Sequence, residues 1–132
     1  MQVSEIMTRH PEVIQSNESI RVAVAKLYDN DIRHLPVLRS TELIGIISDR
    51  DLRGFASVSG DAHFGPLLDR PVSEVMSSSV ISVSENDDVS ELMDIFIEGK
   101  VGAVPVVDAH TNKLVGIVSY IDVLKALRGA VD

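Results

Sequence analysis

Apolar side chains follow two rhythms along this chain, and each rhythm occurs twice. Ile20, Ala23, Val24, Leu27 and Tyr28 fall at i, i+3, i+4, i+7 and i+8, which is one stripe of a helix with 3.6 residues per turn. Val89, Leu92, Met93, Phe96 and Ile97 repeat that spacing, and both stripes are expected to face a core. Asn17-Glu18-Ser19 supplies helix-starting side chains. Asp29-Asn30-Asp31 and Glu98-Gly99-Lys100 stand at the stops, with Gly99 suited to a left-handed residue after the last turn. Short runs rich in β-branched residues predict strands at 12–15, at 34–38 and 43–48 around the turn 39–42, and at 103–107 and 114–118 around the polar turn 108–113. These last four are nearly continuous in apolar residues, so they are expected to be covered on both faces. Helices at 49–55 and 120–127 close the pattern, giving in each half a short lead helix, a strand, a helix, two strands and a closing helix.

The halves are copies. Val3-Ser4-Glu5-Ile6-Met7 returns as Val72-Ser73-Glu74-Val75-Met76, and Leu35-Pro36-Val37 as Val104-Pro105-Val106, both 69 positions later. Gly45-Ile46-Ile47-Ser48 returns as Gly116-Ile117-Val118-Ser119 at an offset of 71, so the second turn holds two extra residues. The copies span residues 1–56 and 72–132, and the linker 57–71 carries Ser57, Ser59, Gly60, Gly65, Pro66 and Pro71, the composition of a loop with at most one turn of helix. A unit occurring as a pair suggests two related clefts across a pseudo-two-fold axis, an arrangement suited to binding.

Composition narrows the classes. With 132 residues, 45% of them hydrophobic and 24% charged, the chain is long enough for a compact core and too apolar for disorder. No apolar run approaches the roughly 20 residues of a membrane span. There is no basic and apolar leader pattern and no cysteine, so a cytoplasmic protein is expected. A net charge of −8 opposes general affinity for nucleic acid. Residues 1–70 hold eight basic and ten acidic side chains, net −2, and residues 71–132 hold four and ten, net −6. An anionic ligand would therefore lean on the first half. His10, His34, His63 and His110 lie in separate segments, so no metal site is expected. Neither a Gly-x-Ser-x-Gly elbow nor a phosphate-binding Walker loop occurs. Glu85-Asn86-Asp87-Asp88 is accounted for by carboxylates at a helix start.

Ser48-Asp49-Arg50-Asp51 and Ser119-Tyr120-Ile121-Asp122 each follow an apolar strand and open a helix. Two readings stand side by side. A helix N-terminus offers free N–H groups and a partial positive charge to a phosphate, and a carboxylate one turn later suits the paired hydroxyls of a ribose. Ser-x-x-Asp is also the sequence of a capping box, which satisfies the helix start and does nothing else.

The duplicated strand Leu-Pro-Val or Val-Pro-Val, the Gly-Ile-Ile/Val-Ser-x-x-Asp run and the lead Ser-Glu-Ile-Met-Thr (4–8) or Ser-Glu-Val-Met-Ser (73–77) resemble the cystathionine β-synthase (CBS) domain, whose tandem pairs are called Bateman modules. The resemblance covers nearly everything except the linker. It implies an α+β fold of two repeats, each roughly βαββα, related by a pseudo-two-fold axis and packed through their sheets. It implies regulation, not catalysis. The ligand would be adenosine-containing, AMP, ADP or ATP first, with S-adenosylmethionine or NAD as alternatives, bound in clefts between the repeats, and occupancy would be passed to an effector protein or domain. Such modules usually pair as flat homodimers through helical faces; here these would be the helices at 20–30 and 89–99 or the closing helices.

By the same resemblance Asp51 and Asp122 would hold ribose, and Ser48 and Ser119 would lie near phosphate. The base would insert among Ile46, Ile117, Ile32 and Val101, with Val80 and Ile81 opposite one cleft and Pro11 and Glu12 opposite the other. For each of these aliphatics plain core packing is the competing account. Arg33-His34 matches a phosphate-facing place, whereas the second copy has Gly102-Ala103 there. Arg50 is answered by Ile121. Arg33 and Arg50 could serve a common phosphate zone, or could be surface residues paired with Asp31, Asp49 or Asp51. The rival to nucleotide sensing is a ligand-free dimerisation or interaction scaffold. A hydrolase ranks third, since no nucleophile, base and oxyanion donor can be assembled.

Overall fold

The computed structural model describes residues 1–59, 65–99 and 101–131; the side chains of 55–59 and 131 lie outside that description, as do Gly60 and Lys100. The chain packs as two units that do not coincide with the two sequence copies. One is Glu12–Val80, and the other joins Met1–Pro11 to Ile81–Asp132.

In Glu12–Val80, strand β2 (Ile14–Gln15) leads to helix α1 (Ile20–Asp29), strands β3 (His34–Arg39) and β4 (Glu42–Ser48) and helix α2 (Asp49–Ser59). The sheet order is β2-β3-β4, with β2 parallel and β4 antiparallel to β3. Ser19 caps α1 by accepting from the Val22 N–H at 3.2 Å. The core holds Ile14, Ile20, Ala23, Leu27, Leu35, Val37, Ile47 and Leu52. Val72, from the lead turn of the second copy (a 3-10 turn, Val72–Glu74), completes it.

The other unit begins with the 3-10 turn Val3–Glu5 and strand β1 (Thr8–Arg9), then resumes with β5 (Val83–Ser84), helix α3 (Val89–Gly99), strands β6 (Ala103–Val107) and β7 (Leu114–Ser119) and helix α4 (Tyr120–Val131). Its sheet order is β1-β7-β6-β5. Val3 and Met7, from the lead of the first copy, are buried among Val83, Val89, Leu92, Val104, Val106, Val118 and Val123. Each lead segment thus serves the core built mainly from the other copy. The Val3 N–H donates to the Asp87 carbonyl at 2.9 Å, the Ser4 N–H to that of Glu85 at 3.0 Å, and the Val89 N–H to that of Met1 at 2.9 Å.

Several expectations are corrected. Val24, Tyr28 and Ile97 are 38, 85 and 74% exposed, so only one edge of each helical stripe is core, and Met93 and Phe96 are half-buried. Gly99 is the last helical residue of α3 and is not a left-handed stop; Asp31, just past α1, is left-handed, with φ 51°. Both closing helices run about a turn longer than expected, and the strand at 12–15 shortens to Ile14–Gln15. The helix at the start of the linker reaches Ser59, 65–67 form a helical turn, and the expected loop residue Gly60 lies outside the described residues. The centre of β3 and all of β6 are buried, as both-face coverage requires. Strands β4 and β7 alternate, with Gly45, Ile47, Gly116 and Val118 buried and Ile46, Ser48, Ile117 and Ser119 only half-buried. One face of each of these strands is therefore partly open, and it carries the motif residues.

Candidate functional site

Each unit brings one Ser-x-x-Asp run to a strand-to-helix junction. In Glu12–Val80, His34 stands opposite Ser48 in the β3–β4 ladder, and the Asp49 N–H donates to the Arg33 carbonyl at 2.9 Å. The other unit repeats this: Ala103 stands opposite Ser119, and the Tyr120 N–H donates to the Gly102 carbonyl at 3.3 Å. The junctions are equivalent in backbone and unlike in side chain.

Both tetrads form capping boxes. The Asp51 N–H donates to Ser48 Oγ at 3.0 Å and the Ser48 N–H to Asp51 Oδ2 at 3.1 Å. The Asp122 N–H donates to Ser119 Oγ at 3.2 Å, and the Ser119 N–H and hydroxyl both donate to Asp122 Oδ2, at 2.8 and 3.1 Å. Capping engages one carboxylate oxygen and leaves the other. Oδ1 of Asp51 and of Asp122 takes no hydrogen bond among the described residues, so the carboxylates keep acceptor capacity for a diol. The two readings of the tetrad are compatible.

A piece of a lead segment pairs with the strand before each junction. Ile46 and Ser77 exchange N–H to carbonyl bonds at 3.0 and 2.9 Å, and Thr8 pairs with Ile117. Thr8 and Ser77 lie outside the Ser-x-x-Asp motif and its flanking candidates. Their signal is the hydroxyl that follows Met in both lead motifs. The glycine of each Gly-Ile-Ile/Val-Ser run is explained by this approach: a Cβ on Gly116 would stand 2.7 Å from Met7 Sδ and 2.8 Å from the Thr8 carbonyl oxygen, and one on Gly45 would stand 2.5 Å from Met76 Sδ.

Of the remaining candidates, Ile46 and Ile117 are half-buried on the open strand faces. Ile32 packs against the core of its unit, and Val101 is 37% exposed. Val80 and Glu12 belong to one unit, Ile81 and Pro11 to the other. Pro11 and Val80 are half-buried, Glu12 and Ile81 exposed. On the edges away from β3 and β6, Ile46 and Ile117 are paired with Ser77 and Thr8.

Charge separates the two junctions. Arg33 and Arg50 are exposed and make no ion pair among the described residues, so the alternative of surface pairing with Asp31, Asp49 or Asp51 is not what these residues show. Asp49 is held instead by Arg53, at 3.1 Å one turn along α2. His34 is half-buried. Burial pushes its pKa below the usual 6.5, opposed by the carboxylate of Asp51, assisted by the cation of Arg33 and opposed more weakly by Asp49. The unfolded chain therefore takes up this proton more readily than the folded one, and stability contributed at neutral pH is lost as pH falls from about 6.5 through the folded value. A His34→Gln protein is expected to lose thermal stability less steeply than wild type between pH 7 and pH 5. Parallel midpoint curves for the two proteins would contradict this.

Comparisons with known proteins place the fold in a family. The family model for the CBS domain matches residues 3–57 and 72–129. The chain belongs to the CBS domain family. The CBS domain pair of protein MJ0100, solved in complex with 5′-methylthioadenosine and S-adenosyl-L-methionine, is 27% identical with a TM-score of 0.83, over 98% of each chain. CBSX2 in complex with AMP is 25% identical with a TM-score of 0.84, over 99% of this chain and 98% of that one. Uncharacterized protein MJ1225 of Methanocaldococcus jannaschii is 28% identical over 99% of this chain and 49% of its own length. The chain thus spans about half of that curated relative. The α+β architecture of two CBS repeats follows from the fold and these matches together. Among the described residues no helix is long and apolar enough to cross a membrane, and no three His, Cys, Asp or Glu side chains are placed to hold a metal ion.

Proposed function

We propose that this CBS pair is a regulatory module that binds adenosine-containing ligands, AMP, ADP or ATP first and S-adenosylmethionine or NAD as alternatives, through its two Ser-x-x-Asp junctions. The observation that carries the reading is the repetition, at each helix start, of a carboxylate with a free oxygen beside a hydroxyl and a half-open apolar strand face. The ligands named for the MJ0100 pair and CBSX2 share the adenosyl group such a junction would suit. Asp51 and Asp122 accept the ribose hydroxyls, Ser48 and Ser119 lie toward the 5′ substituent, and Ile46 and Ile117, with Ile32 and Val101, border the base; Val80, Ile81, Pro11 and Glu12 remain candidates for its far wall. Arg33, His34 and Arg50 meet phosphate. No catalytic role is assigned. A ligand acts only through its different affinity for two arrangements of the protein or its effector. The setting is cytoplasmic.

The test uses thermal unfolding with and without ligand. The Asp51→Ala/Asp122→Ala protein keeps the serine caps, loses the carboxylate half of both boxes, and should be less stable without ligand by about 0.5–1.5 kcal/mol per site. The Asp51→Asn/Asp122→Asn protein keeps a capping oxygen and should lose less. Wild type at 100 times the dissociation constant of AMP gains about 2.7 kcal/mol, and both double variants should lose most of that gain. A full ligand response in the alanine protein would leave the boxes with capping alone.

A second reading rests on exposed apolar helix residues: Tyr28 at 85%, Ile97 at 74%, Leu124 at 55% and Leu127 at 38%. Such side chains on helical faces favour pairing of two copies of the chain, and a ligand-free dimer scaffold would need nothing more. Sedimentation of wild type against Tyr28→Glu/Ile97→Glu separates the dimer from the monomer.

A further inference from the structure

The two junctions share a backbone and the Ser-x-x-Asp pair, and differ in the charged side chains around it. We infer that they take adenosyl ligands of different charge: the Glu12–Val80 site one with a 5′-phosphate, and the site on β7 and α4 one with an uncharged 5′ group. This rests on the adenosyl-binding reading above and adds which ligand class each site selects.

The pairing makes the comparison direct. Because His34 faces Ser48 as Ala103 faces Ser119, and Asp49 bonds Arg33 as Tyr120 bonds Gly102, corresponding side chains leave equivalent backbone positions. Four substitutions follow. Arg33 is replaced by Gly102, His34 by buried Ala103, Arg50 by Ile121, which is 42% exposed, and Asp49, whose carboxylate is engaged by Arg53, by Tyr120. In the first site two guanidinium groups without ion-pair partners among the described residues offer bidentate donors to phosphate oxygens and offset the charge of Asp51. In the second site the equivalent positions give Asp122 no such compensation, and a phosphate drawn toward Ser119 would meet a like charge and an apolar Ile121 side chain.

Arg9 and Lys125 lie on the elements beside the second junction, and neither matches Arg33 or Arg50 in position. Arg9 stands opposite Gly116, three residues along β7 from Ser119, and its guanidinium donates back to the Ser4 carbonyl at 3.4 Å. Lys125 stands a turn beyond Ile121 on α4, at the place of Gly54 in α2, and is exposed. An apolar or neutral 5′ group is the better match for Ile121 and Ala103.

Titration calorimetry with AMP and with 5′-deoxyadenosine, at low and at high salt, tests this on wild type, Arg33→Ala/Arg50→Ala, Asp51→Asn, Asp122→Asn and Ile121→Arg. Wild type should bind one tight, salt-sensitive equivalent of AMP, weakened about 10- to 100-fold in Arg33→Ala/Arg50→Ala through loss of charge-assisted bonds, and weakened also in Asp51→Asn. Wild type should retain a salt-insensitive equivalent of 5′-deoxyadenosine that is weakened in Asp122→Asn and unchanged in the double arginine variant. Ile121→Arg should create a second AMP equivalent. Two AMP equivalents of equal affinity in wild type, or AMP binding indifferent to both arginines, would overturn the unequal sites while leaving the adenosyl reading in place. Failure of both ligands to bind wild type would overturn that reading, and this inference with it.

Discussion

Removing residues 1–7 is expected to unfold the far end of the chain: amides in Ala103–Val107 and Leu114–Ser119 should lose hydrogen-exchange protection, while those in His34–Arg39 and Glu42–Ser48 keep theirs. The deleted segment contributes Val3, fully buried, and Met7, 9% exposed, to a core whose other members lie between Val83 and Val123. Burial of two such side chains is worth about 1.5–3 kcal/mol each. The backbone bonds of Val3 and Ser4 to Asp87 and Glu85, and of Val89 to Met1, go with them. Against a total stability of about 5–15 kcal/mol for a protein, that loss removes most of what holds the unit. The Glu12–Val80 unit is continuous in sequence and keeps its own core. Exchange mass spectrometry of the truncated and intact chains reads the outcome by segment. Unchanged protection of β6 and β7 would show that the lead segment is dispensable. The mirror experiment, Val72→Asp, should deprotect β3 and β4, because Val72 is fully buried in the other core.

Gly116→Ala is expected to lower stability by about 1–3 kcal/mol, the range for overfilling a packed site, and Gly45→Ala by less. The difference lies in what the new methyl group meets. At Gly116 it meets the Thr8 carbonyl oxygen at 2.8 Å as well as Met7 Sδ at 2.7 Å; at Gly45 the closest atom is Met76 Sδ, with the Ser77 carbonyl at 3.0 Å. A thioether can swing aside, since methionine adapts easily. A paired carbonyl cannot move without disturbing the β1–β7 ladder. Replacing glycine by alanine where the backbone permits it usually stabilises by about 0.4–1 kcal/mol through the unfolded chain, so a net loss is diagnostic of the clash. Denaturant titration of both variants gives the order directly. If Gly45→Ala proves the more harmful, the lead strand at Thr8 yields more readily than its geometry indicates. Because Thr8 stands across from Ile117, Gly116→Ala should also weaken any ligand held at Ser119 and Asp122.

The duplicated elements were legible because their causes are local. Stripe spacing in Ile20–Asp29 and Val89–Gly99, β-branched runs in the central strands and a serine three residues before an aspartate depend on neighbours within about one helical turn. The motif residues Ser48, Asp51, Ser119 and Asp122 could be named on the same basis, and the asymmetry of Arg33, His34 and Arg50 against Gly102, Ala103 and Ile121 is written in the chain directly. Which edge of a stripe is buried is not local. Leu27 and Tyr28 are adjacent apolar residues in one helix, 6 and 85% exposed, and only the elements packed on α1 distinguish them.

By itself, then, the sequence determined the two copies, their elements and the Ser-x-x-Asp junctions, since periodicity, capping and motif identity act over a few residues. Only the tertiary structure decided that Met1–Pro11 completes the unit of Ile81–Asp132, that Thr8 and Ser77 stand across from Ile117 and Ile46, and that Gly45 and Gly116 are glycines to admit them. Those contacts join residues between about 30 and 120 positions apart. Two near-identical lead motifs have the same local propensities, and what places each against a particular core is the packing of side chains and strand edges that come together only when the chain folds.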